Sequence, residues 1–378
     1  MQVIFLFLFF LIIGYYLAFM HNKPNTNHPD DQDIRKKYKF DVKPNQEKPV
    51  KIQKLVIYPC RGLQPVEVDH IKVSKLGIKY DREWSVYYRN EKQSAITLGP
   101  EIKFSLLKQS IEKDLKTKQK YLVITCVDAQ EAAKLPTKEL RIPIRKRLEG
   151  EVITTAKGQQ GMSEGVEADA WFSKFLEKEV FLLRSAPNYV KNVPGGKVLP
   201  QTLEGDQTRG FVSKAAIHIV NEASVRDLRQ KVLKKMTLED QAKTKIEAIP
   251  FRPNVIIDSG VAFSEDAMQE ARIGNVLMRL VGYCSRCKVV SCNYDTYDRN
   301  PNLEPTETLA EYRKNEYGTL FGTYHQVEII GSYQQFRRLL PEFAVPKNRK
   351  LDSDYGVICV GDEIRVRVAE QRINFDKK

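Results

Sequence analysis

The sequence predicts a β-rich α+β protein in which two β-rich lobes form one compact body. Short runs of β-branched and aromatic residues recur along most of the chain, while helical periodicity is confined to a few segments. The chain has 378 residues, which corresponds to roughly two domains at about 150 residues each. Its 42% apolar and 29% charged residues exclude a disordered, collagen-like or polytopic membrane protein.

The first element is an uncharged apolar segment at residues 3–20, which reads VIFLFLFFLIIGYYLAFM. Its length is close to the minimum for a membrane-spanning helix, which needs about 20 residues. We therefore predict a transmembrane anchor. A cleaved signal peptide is the alternative, but such a peptide normally begins with a basic region, and only Met1 and Gln2 precede this run.

A polar linker follows the anchor. Residues 21–50 contain many Asn, Pro, Asp and Lys residues and little apolar content, which predicts a flexible tether. Basic residues flank the apolar segment only on its C-terminal side, at Lys23 and within residues 35–39. The positive-inside rule then keeps the body of the protein on the cytoplasmic side of the membrane.

The first lobe, residues 51–185, is predicted to be a small barrel or sandwich made mainly of strands. Runs of β-branched and aromatic residues predict strands at residues 52–58, 84–88, 121–127, 140–144 and 152–155. A helical pattern follows at residues 166–177.

The second lobe, residues 186–378, mixes helices with strands. Apolar residues keep helical spacing within residues 222–235. A second helix is expected to begin near Pro305, because Thr308 and Glu311 have the spacing of a capping box. Strands are predicted at residues 254–257, 276–281, 324–330 and 357–368.

The net charge of +13 suggests nucleic acid, a membrane surface or an anionic ligand as partner. Basic residues are interspersed with acidic ones and form no nucleic-acid recognition motif, so nucleic-acid binding is not expected. The six cysteines lack the spacing of a disulfide scaffold, which fits a reducing compartment.

Three stretches concentrate residue types that carry chemistry: FRPN at 251–254, CSRC at 284–287, and EPTETLAEYRKNEYGTLFGTY at 304–324. By itself, a CxxC pair leaves open a redox dithiol, half of a zinc site or two unrelated thiols. The β-like run after it argues against a thioredoxin-like motif. Arg286 beside Cys287 favours a thiolate, which is a soft ligand for a soft or heavy metal.

Together with VGD at 360–362, these motifs resemble the MOSC domain, a family that binds the molybdenum cofactor. IYP at 57–59, DREW at 81–84 and Thr97 resemble the β-barrel domain that precedes it. The chain is most similar to the amidoxime-reducing members of the family, which also carry an N-terminal membrane anchor. The resemblance covers about residues 51–368.

The resemblance implies a cofactor site. Cys287 would be the catalytic residue and the molybdenum ligand. Guanidinium groups suit the phosphate of molybdopterin because they form paired hydrogen bonds with it. Cys284 has no implied role and is expected to be a small buried apolar residue. The implied cofactor-binding residues are Arg61, Arg82, Thr97, Arg252, Asn254, Ser285 and Tyr324.

The chain departs from the family pattern at several places. Arg61 and Gly62 stand where the family has a Lys-Ser pair, and Gly99 replaces an Arg. Lys214 lies in a stretch where the family has an Asp. The sequence NYDTYDRN at 293–300 replaces the family's DPDTG, and residues 334–354 resemble an insertion.

The implied function is reduction of N-hydroxylated compounds, such as amidoximes and hydroxylamines, by a molybdenum-dependent oxidoreductase. The implied electron donors are a cytochrome b5 and its NADH-dependent flavin reductase. The implied place is the mitochondrial outer membrane with the body facing the cytosol, and the endoplasmic reticulum is the alternative. At the level of the domain alone, the resemblance also brings an association with pyridoxal phosphate binding.

The departures motivate a second hypothesis of a different class. In this alternative the chain keeps the fold but has lost the cofactor chemistry. It would then serve as a structural or accessory subunit of a mitochondrial membrane complex.

Overall fold

The computed structural model describes residues 50–146, 150–273, 276–329 and 356–368. The predicted anchor at 3–20 and the insertion at 334–354 lie outside these residues, as does all of the predicted linker except Val50. In the part that is described, no helix is both long enough and apolar enough to cross a membrane.

The described residues form many short strands and a few helices. The strands are β1 (Val50–Ile57), β2 (Val66–Val68), β3 (His70–Ser74), β4 (Gly77–Ile78), β5 (Trp84–Tyr88), β6 (Leu107–Lys113), β7 (Lys120–Cys126), β8 (Glu139–Pro143), β9 (Ile153–Thr154), β10 (Gln160–Ser163), β11 (Val180–Ser185), β12 (Val190–Asn192), β13 (Gln207–Arg209), β14 (Ile217–Asn221), β15 (Val255–Asp258), β16 (Met268–Ile273), β17 (Val276–Ser285), β18 (Lys314–Asn315), β19 (Gly318–Ile329), β20 (Gly356–Cys359) and β21 (Glu363–Val368). The α-helices are α1 (Ala129–Ala133), α2 (Val166–Leu176), α3 (Glu222–Leu233), α4 (Leu238–Lys243) and α5 (Thr306–Arg313).

A closed seven-stranded barrel forms the second lobe. Its strands follow the order β14-β15-β1-β21-β16-β17-β19, and β19 pairs back with β14 to close the sheet. Strands β14 and β15 are parallel, and the other neighbours in the ring are antiparallel. Strand β1, from the start of the described chain, therefore completes a barrel whose other strands come from the second half.

Strand β14 of the barrel is buried on both of its faces. In β14, Ile217 and Ile219 pack inside the barrel, while Val220 packs against helix α3 on the outside. Both faces of this strand are therefore covered, which explains its nearly continuous apolar sequence. Each such fully buried side chain contributes about 1.5–3 kcal/mol to the free energy of folding.

The first lobe packs helix α2 against two sheets. One sheet is the β6-β7-β8 meander, and the other has the order β5-β11-β10-β9. Helix α2 buries Ala168, Trp171, Phe172, Phe175 and Leu176, which recur at the spacing of one helical face. These side chains join one core with residues of both sheets.

The seam between the lobes is made of short backbone crossings. Arg61 N–H donates to the Trp84 carbonyl at 2.8 Å, and Arg82 N–H donates to the Tyr58 carbonyl at 2.8 Å. Phe211 N–H reaches the Arg82 carbonyl at 2.7 Å. Turns that follow β1 and precede β5 and β14 are thus bound together at one place, which positions the site described below.

The predicted β-rich α+β class is confirmed, and two local predictions are wrong. The expected strand at 357–368 is two strands in different sheets, because Gly361 turns the chain at a positive φ of 86°. The expected capping box does not form. Instead, the Glu304 carboxylate, ahead of helix α5, accepts hydrogen bonds from the Thr308 N–H at 3.2 Å and hydroxyl at 2.8 Å.

Candidate functional site

Two arginine side chains meet on one aromatic ring at the seam. The guanidinium carbons of Arg82 and Arg252 lie 4.3 and 4.1 Å from the centroid of the Tyr58 ring. Arg82 also donates through Nη2 to the Arg252 carbonyl at 3.2 Å. The ring faces attract both cations and hold them close to each other.

The DREW turn fixes Arg82. Its backbone has a positive φ of 49°, and its Nη1 lies 2.5 Å from Oδ2 of the buried Asp81. The other carboxylate oxygen of Asp81 accepts the Tyr58 N–H at 2.9 Å. Asp81 therefore orients the Arg82 guanidinium. It also fixes the backbone of Tyr58, on whose ring Arg82 stacks.

Arg252 follows a short 3₁₀ turn, Ile249–Phe251, and also has a positive φ, of 57°. Its Nη1 donates to the Leu63 carbonyl and to the Tyr294 hydroxyl, each at 3.0 Å. Because Leu63 belongs to the first lobe, this side chain crosses the seam and connects the two lobes.

Asn254 lies in the barrel wall beside the arginines. It is buried, its Nδ2 donates to the Val56 carbonyl at 3.2 Å, and its Oδ1 accepts the His218 N–H at 3.2 Å. These contacts tie β1 to β14. Through them the side chain holds the backbone from which Arg252 extends.

Further cations crowd the same seam. The half-buried Arg61 donates to the Ser213 hydroxyl at 3.3 Å, and burial lowers its pKa, with Arg82 and Arg252 lowering it further. Burial also lowers the pKa of Lys191 to about 8, and Arg61 adds to that shift. Crowded cations depress one another's protonation, and an anion among them would reverse this effect.

The CSRC segment ends strand β17. Cys287 is exposed and begins the 3₁₀ turn Lys288–Ser291. Cys284 is buried as expected, but it is not merely apolar. Its sulfur accepts a hydrogen bond from Arg286 Nη1 at 2.7 Å and is hydrogen-bonded to the Tyr324 hydroxyl at 3.1 Å. Arg286 Nη2 reaches the Phe251 carbonyl at 2.8 Å, which joins this segment to the seam.

A cleft of about 410 Å³ opens beside CSRC. Ser285 and Tyr324 line it, together with residues 197–200 and 315–317. The Tyr324 hydroxyl is buried, which raises its pKa well above the usual value, so the hydroxyl keeps its proton. Two of the predicted site residues therefore belong to the cleft.

Thr97 lies on the first-lobe side, near the turn that follows Cys287. A Cβ atom built on Gly99 would lie 3.5 Å from Val289 and 3.9 Å from the Thr97 hydroxyl oxygen. Gly62 is adjacent, with a φ of 95°, and a Cβ there would lie 2.7 Å from the Phe104 ring. The glycine at position 62 is thus required by the backbone and by local packing.

His218 is a site residue that none of the sequence motifs indicated. It is buried, its Nδ1 lies 3.2 Å from the Arg252 carbonyl, and its ring centroid lies 5.1 Å from that of Tyr324. Burial holds its pKa well below the usual value, and Arg286 adds to this. A histidine in a buried strand carries no local signal that would have revealed this role.

The described residues do not form a zinc site. In residues 50–146, 150–273, 276–329 and 356–368, no group of three or more His, Cys, Asp or Glu side chains could hold a metal ion. Cys287 remains a single exposed thiol that can supply one soft ligand.

The seam fits an anionic group rich in heteroatoms. Among the described residues, Asp81 is the one carboxylate ion-paired with the seam arginines. Three buried polar atoms of this region have no hydrogen-bond partner in the described part of the chain. They are the Tyr58 hydroxyl, His218 Nε2 and Arg286 Nε. Cations in excess and unused polar atoms are what a bound phosphate and a heterocycle would satisfy.

Comparisons with known proteins agree with the family resemblance of the sequence motifs. A family model described as the MOSC domain matches residues 206–365, and one described as the MOSC N-terminal beta barrel domain matches residues 49–179. The chain is 30% identical over 295 residues to mitochondrial amidoxime reducing component 2 of Bos taurus, covering 74% of this chain and 80% of that protein. The human protein of the same name is 28% identical with the same coverage. Molybdenum cofactor sulfurase of Oryza sativa subsp. japonica is 23% identical over 282 residues, which are 74% of this chain and 33% of that protein.

Proposed function

Because the chain belongs to the MOSC family, we propose that it binds the molybdenum cofactor and reduces N-hydroxylated compounds such as amidoximes and hydroxylamines. The observation that carries the proposal is the stacking of Arg82 and Arg252 on Tyr58, beside the CSRC segment. Relatives named for amidoxime reduction support the reaction class.

The chain offers a distinct group for each part of the cofactor. Arg61, Arg82 and Arg252 would hold the phosphate, and the Cys287 thiolate would bind the metal. When bound, the cofactor would supply two-electron redox chemistry for removing the hydroxyl oxygen. The overall reaction takes R–NH–OH with two electrons and two protons to R–NH₂ and water.

The chain's own residues prepare the site for that chemistry. His218 Nδ1 faces a carbonyl oxygen and so carries the proton, which leaves Nε2 with a lone pair. Tyr324 keeps a protonated hydroxyl on the cleft wall. Ser285 lines the cleft two residues before Cys287, and Thr97 lies near the turn that follows Cys287. Asn254 fixes the backbone at Arg252.

The electron supply and the location are parts of the same proposal. We infer that a cytochrome b5 and its NADH-dependent flavin reductase deliver electrons, since a basic protein attracts an acidic donor. We also infer a mitochondrial membrane location, with residues 3–20 as the anchor and the body in the cytosol. The names of the relatives support mitochondria over the endoplasmic reticulum. The domain-level association with pyridoxal phosphate plays no part in the proposal.

The decisive experiment measures molybdenum and pterin in the full chain, purified in detergent from cells that supply the cofactor. We expect both in the wild type, and a loss of metal in Cys287→Ala. Cys359→Ala is the matched control, since this half-buried thiol lies in β20 of a different sheet. Molybdenum at background in the wild type would overturn the enzyme proposal. Full metal content in Cys287→Ala would overturn the ligand assignment.

The alternative function is the accessory subunit, and Gly62 is the observation that favours it. The local backbone excludes the hydroxyl side chain that the family has at this position. A metal-free chain that copurifies stoichiometrically with a membrane complex would support this alternative.

A further inference from the structure

The cleft beside CSRC has a largely apolar interior. Tyr283 and Tyr324 line it from the barrel strands, Leu320 lies on the same side, and Leu199 lies on the opposite loop. Aromatic and aliphatic walls of this kind accept a planar apolar group.

The loop that forms the outer wall is fixed in place. Arg279 makes two contacts with the Asp206 carboxylate, at 2.8 and 2.9 Å, and donates to the Gln201 carbonyl at 3.1 Å. Leu199 packs so closely on the barrel that a Cβ built on Gly282 would lie 2.7 Å from its side chain. The cleft is therefore largely formed before any ligand arrives.

The charged residues on the cleft wall are Lys197, Lys214 and Glu316. Glu316 raises the pKa of the neighbouring Tyr317 hydroxyl, and this one carboxylate is outnumbered by the two lysines. Positive charge therefore dominates the part of the wall that remains available to a ligand.

Further positive charge lies around Ser213, which precedes Lys214. Lys191 Nζ donates to the carbonyls of Val212 and Ser213, and Arg61 donates to the Ser213 hydroxyl at 3.3 Å. Three cations thus surround one short backbone segment on this side of the cleft.

We propose that the cleft selects N-hydroxylated substrates that combine a planar apolar body with an anionic substituent, which Lys197 and Lys214 contact. The inference rests on the proposed function for its reacting group, but the recognition of the anion depends only on the cleft. Partly exposed cations favour a carboxylate through charge-assisted hydrogen bonds, which are stronger than neutral ones.

Binding is tested with two compounds that cannot be reduced, para-carboxybenzamide and benzamide. Both are titrated into the full chain and followed by ligand-observed NMR. We expect the carboxylated compound to bind at least about tenfold more tightly, the effect of one hydrogen bond to a charged group. The double variant Lys197→Gln/Lys214→Gln should abolish the difference. Lys157→Gln, an exposed lysine elsewhere, should preserve it. Equal affinities of the two compounds for the wild type would overturn the proposal.

Turnover separates the failure of this inference from the failure of the proposed function. The ratio of kcat/KM for para-carboxybenzamidoxime to that for benzamidoxime should exceed one, fall in the double lysine variant and shrink at high salt. A metal-free, inactive chain that still prefers the carboxylated amide would overturn the proposed function alone. A metal-loaded, active chain without that preference would overturn the cleft assignment alone.

Discussion

Buried charge is arranged in opposite ways in two regions of this molecule. The seam gathers several arginines around one carboxylate, Asp81, so positive charge is in excess there. In a second region, the carboxylates of the acidic pair Glu265 and Asp266 accept hydrogen bonds from side chains of the protein itself. Buried charges that the chain itself satisfies serve the fold, whereas an excess of one sign beside a cleft indicates a ligand.

The two carboxylates of this acidic cluster, Glu265 and Asp266, accept hydrogen bonds from both neutral and cationic side chains. Asn221 Nδ2 donates to Glu265 Oε2 at 2.9 Å, and the Ser224 hydroxyl lies 2.7 Å from Oε1. Arg313 Nη2 pairs with Asp266 Oδ2 at 2.6 Å, and both side chains are almost completely buried. Each carboxylate thus has a partner supplied by the fold.

The largest expected effect is in the acidic cluster. Arg313→Met should lower the free energy of unfolding by about 3–5 kcal/mol, because it leaves Asp266 buried without its cation. Arg226→Met is the control, since its pair with Asp258 is largely exposed and should cost less than about 1 kcal/mol. Denaturant unfolding measures both. Equal losses in the two variants would contradict the distinction between buried and exposed pairs.

The next effect depends on pH. Burial and Asp266 raise the pKa of Glu265 from 4.5 to about 7. A raised carboxyl pKa favours the folded state at low pH, and this stability is lost as pH rises from about 4.5 through 7. We expect the unfolding free energy to differ less between pH 5 and pH 8 in Glu265→Gln than in the wild type. An unchanged difference would show that the carboxyl is ionised in the folded state throughout that range.

The smallest expected effect on stability is at the seam, and it gives the sharpest comparison. Arg61→Gln should change the unfolding free energy of the metal-free protein by less than about 0.5 kcal/mol, or increase it, since removing one cation relieves Arg82 and Arg252. The same variant should retain less cofactor. A loss of several kcal/mol in the metal-free protein, with normal cofactor content, would make Arg61 a structural residue and break the contrast.

The local elements could be predicted because their causes are local. Helix α2 begins at the predicted residue and ends one residue early, since its apolar side chains repeat at helical spacing. Strand β5 has the predicted bounds, because its residues favour extended backbone. Gly361 is the exception, because one positive φ divides a β-like run into two strands.

The candidate site was predictable as a set of motifs but not as an arrangement. The sequence indicated Cys287, Arg82 and Arg252 as residues of one site, through resemblance. It could not show the hydrogen bonds of Cys284 with Arg286 and Tyr324, because a cysteine in a strand reads as a small apolar residue.

By itself, the sequence determined the fold class, the identity of the motifs and the excess of positive charge, because composition and short-range periodicity carry that information. The tertiary structure decided that β1 completes the barrel, that Arg82 meets Arg252 across 170 residues of chain, and that Lys214 lines a cleft. Contacts of this kind depend on how distant segments pack, and only the closed barrel and the seam beside it fix that geometry.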